Sequence, residues 1–516
     1  MTQISEPEVT VSIINANVIS QNDAQKLLFV GQKTSAGTAT SGELIQNILN
    51  DGAEDTLFGE DSMLAAMIRS ARKLNKIVQF DAIPLDDNGA SAPSIGDFEI
   101  TGSPEEAGTI TFSIGSLLNN SYTVSVSASD TPVIIAVALV TLILDDPTCP
   151  VEAGNTVGTV IMTAVNEGSY GDGLGLAVDI NVPGISVGLV GMAGGGADPV
   201  VTNVFDVVGN NRYQGVVWPY TDVSVLTTFL DERFNVDDDV LDGAGFVSVT
   251  DLLSNHLTRL LPLNSENLVE ICDKFENTAT LVGPSMLEIP VVKAAQLASI
   301  RSLRLTPDAS IANFVISANG ALDAFGGPAL ASKPYANTPF TNLPLIPVNL
   351  GFTDTLEVKQ IQEFGGAVLG NNTARTSVII GRVPTTYKTD AAGNADLTFA
   401  FLNYRDTASG IREYFFNNLK SRFGQSRLTE GNAIPGRDQV NANTVRAFIE
   451  RLYLDLSGVN FVLVQNGDTA IQYFKDNLSV TLVLSTGSVT IQAKTPIITQ
   501  LRRIIFPMQI SFSTGG

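Results

Sequence analysis

Apolar residues fall in distinct rhythms along the chain. Val9, Val11 and Ile13 alternate with Thr10 and Ser12, the period of a strand. No partner lies beside this strand in sequence, so residues 1–20 are expected to form an extended arm that must find a sheet edge. KLLFVG (26–31) is a continuous apolar run and reads as a buried strand. Ser41 is expected to cap a helix carrying Leu44, Ile45 and Ile48, and Asp61 or Ser62 to cap a second with Met63, Ala66, Met67 and Ala71 on one face. A strand returns at 77–80. Strands and helices alternating over short links predict an α/β layer.

The rhythm changes at 96–181. FEITG, GTITFSIG, SYTVSVSA, TVGTVIMTAVN and LGLAVDIN are short β-rich runs parted by Gly, Ser and Asn turns. Among them lies VIIAVALVTLIL (133–144), apolar at eleven of twelve positions. Its period does not separate strand from helix, although its β-branched residues favour strand. Helix signals resume at 222–233 and 288–303. Residues 326–350 hold five prolines and read as an extended connection. A strand at TSVIIGRV (376–383) and a turn at TDAAGNAD (389–396) precede helices at 406–423 and 443–454, then strands at 479–484 and 488–492. At the end Phe506, Met508, Ile510 and Phe512 alternate with polar residues and Pro507, an edge-strand pattern.

The expected fold class is α+β multidomain. An α/β core (21–95 and 182–374) carries an inserted β-rich outer domain (96–181), followed by an α+β C-terminal domain (375–516), with an arm at each end. Twelve helical residues span about 18 Å, short of the roughly 20 residues a bilayer core needs, and Asp145-Asp146-Pro147 stops the run. Direct membrane insertion is therefore not expected. The N-terminus shows no signal-peptide pattern, and two cysteines make no disulfide framework, which points to synthesis in a reducing cytoplasm. Net charge is −23, but unevenly spread: residues 1–374 carry −28 and residues 375–516 carry +5. Between Lys76 and Arg212 there is no Lys or Arg. So acidic a chain repels phosphates, and nucleic acid is not an expected partner.

Signals for chemistry are sparse. His256 is the lone histidine, and nothing near it forms a nucleophile elbow; it reads as a solvated or core-edge residue. Metal sites of the Cys/His type fail on count, and no metal or cofactor is expected. GMAGGGADP (191–199) fits no phosphate-binding loop, and NVDDDVLDGAG (235–245) fails calcium-loop spacing at Leu241. No enzyme signal remains. Two strand-like ends suggest joining of chains by strand addition.

Eight stretches resemble the tail sheath proteins of contractile-tailed bacteriophages, most closely the Mu-like branch. They are GQKTSAGTA (31–39), LFGEDSMLAAM (57–67), NEGSYGDGL (166–174), MAGGGADP (192–199), VVWPYTD (216–222), LASKPYANTPFTNLPL (330–345), PTTYKTDAAGNAD (384–396) and TPIITQLRRI (495–504). They occur in the family's order over nearly the full chain. The resemblance implies stacked hexameric rings forming a helical sheath around a tail tube, with baseplate and tail terminator proteins as further partners. It also implies a virion tail component assembled in the host cytoplasm, which contracts to drive the tube through the host envelope during genome delivery. Val9, Val11 and Ile13, with Phe506, Met508, Ile510 and Phe512, would then exchange strands with neighbouring subunits. Arg405, Arg412, Lys420 and Arg422 would face an acidic tube. The resemblance also makes 133–144 a helix on the outer domain's sheet, with Thr131 as cap and Pro132 as first residue. DDDVLDG (237–243) has no counterpart in the family pattern. The alternative reading is a β-rich cell-surface structural protein.

Overall fold

The computed structural model describes residues 25–234, 236, 239–305, 338–340, 342–352, 354–380, 382–434, 438–457 and 464–497. The architecture is mixed α/β. Five strands form a parallel stack in the order Gln79–Leu85, Lys26–Gln32, Gly215–Val217, Ala244–Asp251 and Leu268–Asn277. Their apolar runs are buried along nearly their whole length, as befits parallel strands covered on both faces. Helices Met63–Leu74 and Pro290–Leu305 pack on one another and on this sheet.

Strand Leu268–Asn277 is the pivot. Its first half pairs in parallel with Gly366–Asn371, and its last residues pair antiparallel with Leu281–Pro284. From there the sheet continues antiparallel through Leu176–Asn181, Gly108–Ile114 and Ser116–Val126. A separate four-stranded sheet joins Val151–Thr156, Thr159–Ala164, Ile95–Gly102 and Ile185–Ala193. Phe98 and Phe112, one from each sheet, meet edge to face at 5.1 Å, so the β-rich runs share a core.

The apolar run at 133–144 is a helix, Pro132–Leu144. The Thr131 hydroxyl accepts from the Ile134 amide at 3.4 Å, and Pro132 opens the first turn. Ile135, Ala136, Leu139 and Ile143 are buried at i, i+1, i+4 and i+8, while Ile134, Val137 and Leu144 stay more than half exposed. Helix wins over β-propensity because one stripe suffices to cover the sheet beneath it.

The helix expected after Ser41 does not form. Ile45 exchanges two backbone hydrogen bonds of 2.8 Å with Ala82, and the Ile48 amide donates to Phe80 O at 2.9 Å. The segment runs along the edge strand Gln79–Leu85, and its donors go to the sheet instead of a helical ladder. The Ser41 hydroxyl accepts from the Asp86 amide. Helices Ala53–Phe58, Leu253–Leu260, Thr355–Glu363 and Asp468–Asp476 were not anticipated; all are short.

After the sheet come helices Leu402–Phe423 and Ala442–Ser457 and the hairpin Ser479–Val483 with Ser488–Gln492. Val445, Ile449, Leu452, Tyr453 and Leu456 make one buried stripe on the second helix. Of these, Val445, Ile449, Tyr453 and Leu456 join Ile411, Val464 and Phe474 in a hydrophobic cluster apart from the main core.

Glu288 lies just before helix Pro290–Leu305, where that helix meets the β-rich strands. The Ser116 hydroxyl donates to Glu288 Oε2 at 2.9 Å, and the Leu117 amide donates to Leu287 O at 3.0 Å. Burial raises the Glu288 carboxyl to about 7, even though the Ile289 amide, Ser116, Lys293 and Lys73 favour its charged form. A carboxyl raised on folding stabilises the native state fully below its unfolded value, near 4.5. That contribution is lost as pH rises through the folded value. Glu288→Gln is therefore expected to remove a decline in stability of about 3 kcal/mol between pH 4.5 and 7, measured by urea unfolding across that range.

Candidate functional site

Helix Leu402–Phe423 links the two clusters: Leu402 belongs to the main core and Ile411 to the C-terminal one. Its first half is buried yet carries Asn403, Arg405, Asp406, Thr407, Ser409 and Glu413. These polar groups are met from the sheet side. Arg301 grips Asp406 with both ends of its fork, Nε to Oδ2 at 2.9 Å and Nη2 to Oδ1 at 2.6 Å, and also donates to Gln214 O. Arg405 donates to Asn267 Oδ1 at 3.0 Å and Gly243 O at 2.6 Å, with Asp406 Oδ1 3.6 Å away. Arg212 pairs with Glu413 at 2.9 Å. Arg412 donates to Asp242 and to the carbonyls of Val236 and Asp239, and the Ser409 hydroxyl donates to Asp242 Oδ2 at 2.7 Å. A cavity of about 30 Å³ remains among these groups. Burial pushes the Arg405 guanidinium down to about 10, partly offset by Asp406; it stays charged at neutral pH.

The expected outward row of four cations is therefore divided. Arg405 is 1 % exposed and serves the seam within the subunit. Arg412 also turns inward, because Asp242 and two loop carbonyls offer it charge-assisted hydrogen bonds. Lys420 and Arg422 lie on the exposed last turns, over Phe416 and Phe423 respectively. The unusual acidic segment 237–243 thus supplies Asp242 and Gly243 to hold this helix. Val9, Val11, Ile13, Phe506, Met508, Ile510 and Phe512 lie outside the described residues. The hairpin Ser479–Val483/Ser488–Gln492 packs Val480, Val489 and Ile491 on the C-terminal cluster. Among the described residues its two strands pair only with each other.

The quoted motifs mark junctions. In 166–174 and 192–199, Asp198 accepts from the amide and the hydroxyl of Ser169, both at 2.7 Å, and the Gly195 amide donates to Asp172 Oδ1 at 3.0 Å. A Cβ at Gly195 would stand 2.1 Å from Gly168 O, so glycine is required there. Lys388, from 384–396, donates to the carbonyls of Leu260 and Leu261 at 2.7 and 3.1 Å and caps the C-terminus of helix Leu253–Leu260. Trp218 donates to Asp222 O at 2.8 Å within its own turn.

His256 is fully buried and not solvated, with Nε2 2.9 Å from Asp273 O. No helix among the described residues is long and apolar enough to cross a membrane. Sequence reasoning missed Arg301, Asp242 and Asp406 as seam residues. The available signal was charge inside apolar rhythm, as in AAQLASIRSL (294–303).

Removing one partner from this buried seam leaves charge uncompensated. Asp406→Ala is expected to cost about 3–5 kcal/mol in urea unfolding, whereas Lys420→Ala is expected to stay within about 0.5 kcal/mol.

No family model matches the chain. Over 206 residues it is 28 % identical to a curated protein of Haemophilus influenzae, the Mu-like prophage FluMu tail sheath protein. That match takes in 39 % of this chain and 42 % of the relative, so the chain spans about two fifths of the curated relative's length. Among solved structures, the sheath tail protein Lin1278 from Listeria innocua aligns over 92 % of both chains with TM-score 0.45 and 10 % identity. The contracted helical sheath of the anti-feeding prophage aligns over 98 % of this chain and 99 % of that one, with TM-score 0.41 and 11 % identity. These structural scores lie below the level that establishes a shared fold, and the resemblance rests on sequence. In an aligned stretch of 206 residues as well as in short motifs along its length, the chain resembles the tail sheath proteins of Mu-like phages.

Proposed function

We propose that the chain is the structural subunit of a contractile phage tail sheath. It polymerises as stacked hexameric rings around the tail tube, meets baseplate and terminator proteins at the ends, and contracts to drive the tube through the host envelope. The observation that carries this reading is the aligned match to a tail sheath protein. In this reading the chain holds assembly energy in subunit contacts and hydrolyses nothing.

Two features support the details. The C-terminal hairpin has two strands with free outer edges among the described residues, and such a pair is marginal alone. Arms alternating at Val9, Val11 and Ile13, and at Phe506, Met508, Ile510 and Phe512, have the pattern that extends such a sheet. Each added backbone hydrogen bond contributes about 0.5–1.5 kcal/mol. Lys420 and Arg422 then remain as tube-facing cations, each exposed pair being worth about 0–1 kcal/mol and screened by salt. Contacts that weak suit a sheath that must let go of its tube.

Negative-stain microscopy of the purified chain is expected to show hollow or striated tubes, lost on deletion of residues 1–20. A protein that stays monomeric at high concentration, with the deletion changing nothing, would overturn the reading. Joint Lys420→Glu and Arg422→Glu substitution is expected to weaken assembly on tail tubes while leaving the melting temperature within a degree or so.

A further inference from the structure

Three metal-ligating side chains converge beneath the pivot strand. His256 comes from helix Leu253–Leu260, and Glu270 and Cys272 stand two residues apart on one face of Leu268–Asn277. Their ligand atoms all lie within 4.8 Å of one another, and the residues are 0, 0 and 1 % exposed.

Hydrogen bonding at this point does not close. His256 Nε2 faces a carbonyl, Asp273 O, so the ring proton sits on Nε2 and Nδ1 carries the lone pair. That lone pair has no partner among the described residues and faces Glu270 Oε1 at 4.0 Å. Cys272 Sγ lies 3.7 Å from the same oxygen. Glu270 Oε2 is also without a hydrogen-bond partner. Arg259 Nη2 lies against Oε1, yet Arg259 Nε and Nη2 are themselves without a hydrogen-bond partner among the described residues, so the ion pair leaves these acceptors unsatisfied.

We propose that His256 Nδ1, the Glu270 carboxylate and Cys272 Sγ hold one divalent cation of the zinc class, pinning helix Leu253–Leu260 to the pivot strand. Imidazole, carboxylate and thiolate are zinc's usual ligands. Zinc's bond lengths in tetrahedral geometry place such donors about 3.3–3.6 Å apart, so the 3.7 and 4.0 Å gaps must close by a few tenths of an ångström and the imidazole-to-thiol gap, within 4.8 Å, by up to about an ångström. Three protein ligands leave the fourth position to a water. The Nε2–H bond to Asp273 O fixes the ring's tautomer, and Arg259 steadies the carboxylate. Leu260, Ile361 and Val368 pack against Cys272, and a Cβ at Gly366 would stand 2.8 Å from its sulfur, so the shell is apolar and tight. Binding transfers the thiol proton to solvent. Thiolate and carboxylate then balance the ion, while Arg259, 22 % exposed, keeps its own charge partly hydrated. Counting Cys and His for a four-ligand site misses an arrangement that needs one of each plus a carboxylate.

The full chain, stripped with chelator and unfolded in urea, is refolded with cobalt(II) in place of zinc, which gives the buried site access to metal. One cobalt per chain is expected, with a thiolate-to-cobalt charge-transfer band, release of a proton and a melting temperature raised by several degrees. Cys272→Ser and His256→Gln should lose the band, and Cys149→Ser should keep it. A refolded wild-type chain without the band, or a band removed by Cys149→Ser, overturns the proposal. Should Cys272→Ser fail to fold, X-ray absorption of the zinc-refolded wild-type chain decides. One sulfur with nitrogen and oxygen neighbours supports the site, and a shell of oxygen alone refutes it.

Discussion

The ion pair between Arg301 and Asp406 is the constraint around which the rest of the molecule is arranged. Both side chains are essentially out of water. Desolvating two charges costs several kcal/mol each, and only good geometry and further hydrogen bonds offset it. Here Gln214 O accepts from Arg301, and the neighbouring Arg405, 3.6 Å from Asp406, is held in turn by Gly243 O and Asn267 Oδ1; the three acceptors lie just before separate strands of the parallel sheet. Helix Leu402–Phe423 can therefore dock in one register, since a shift of one residue would set Arg405 or Thr407 in place of Asp406 opposite Arg301. An apolar seam of similar area would tolerate sliding. The buried charges contribute specificity of docking more surely than they contribute stability.

A second constraint acts through strand Leu268–Asn277. One half lies in the parallel stack and the other in the antiparallel β-rich sheet, so two differently built layers share one backbone. It also carries Glu270, Cys272 and Asp273 inward. Asp273 receives Lys293 Nζ at 2.5 Å and the Ser285 hydroxyl at 2.6 Å, which ties the strand to the start of helix Pro290–Leu305. Glu270, through Arg259, and Asp273 hold neighbouring elements to this strand where the layers meet.

How much of this was legible in the sequence depended on how local its cause was. Thr131-Pro132 and the apolar stripe after it determine their helix within a dozen residues, and the structure follows them. Ser41 carried an equally local helix signal, but the exposed edge of Gln79–Leu85 offered its backbone better partners, and sequence rhythm contains no trace of that edge. The basic row showed the same limit. Arg405, Arg412, Lys420 and Arg422 look alike as a charge run, yet Asp242, far off in sequence, separates inner from outer members. The quoted motifs read well because each is a turn or junction whose glycine, aspartate or lysine has one geometric solution, as at Gly195, Asp198 and Lys388.

Residues 77–211 hold acids and no Lys or Arg, so their carboxylates must find another counterpart. Backbone amides and hydroxyls supply it. Asp130 accepts from the Ser127 amide at 2.7 Å, Asp172 from Gly195 at 3.0 Å, and Asp198 from Ser169 at 2.7 Å. At Asp146, burial pushes the carboxyl up, but the amide and hydroxyl of Thr148, with Tyr122 and Asn120, outweigh it and hold it below its ordinary value. Dipoles satisfy these carboxylates without cancelling their charge. Asp86 alone among them pairs with a cation among the described residues, Lys33 at 2.9 Å, so the region keeps most of its negative field. For a subunit proposed to pack against many copies of itself, that field opposes crowding of like surfaces, over a distance set by a Debye length of about 8 Å at physiological salt. Asp130 stands before helix Pro132–Leu144, and Asp145 and Asp146 follow it, so its exposed apolar residues Ile134, Val137 and Leu144 lie between like charges that oppose the approach of another copy.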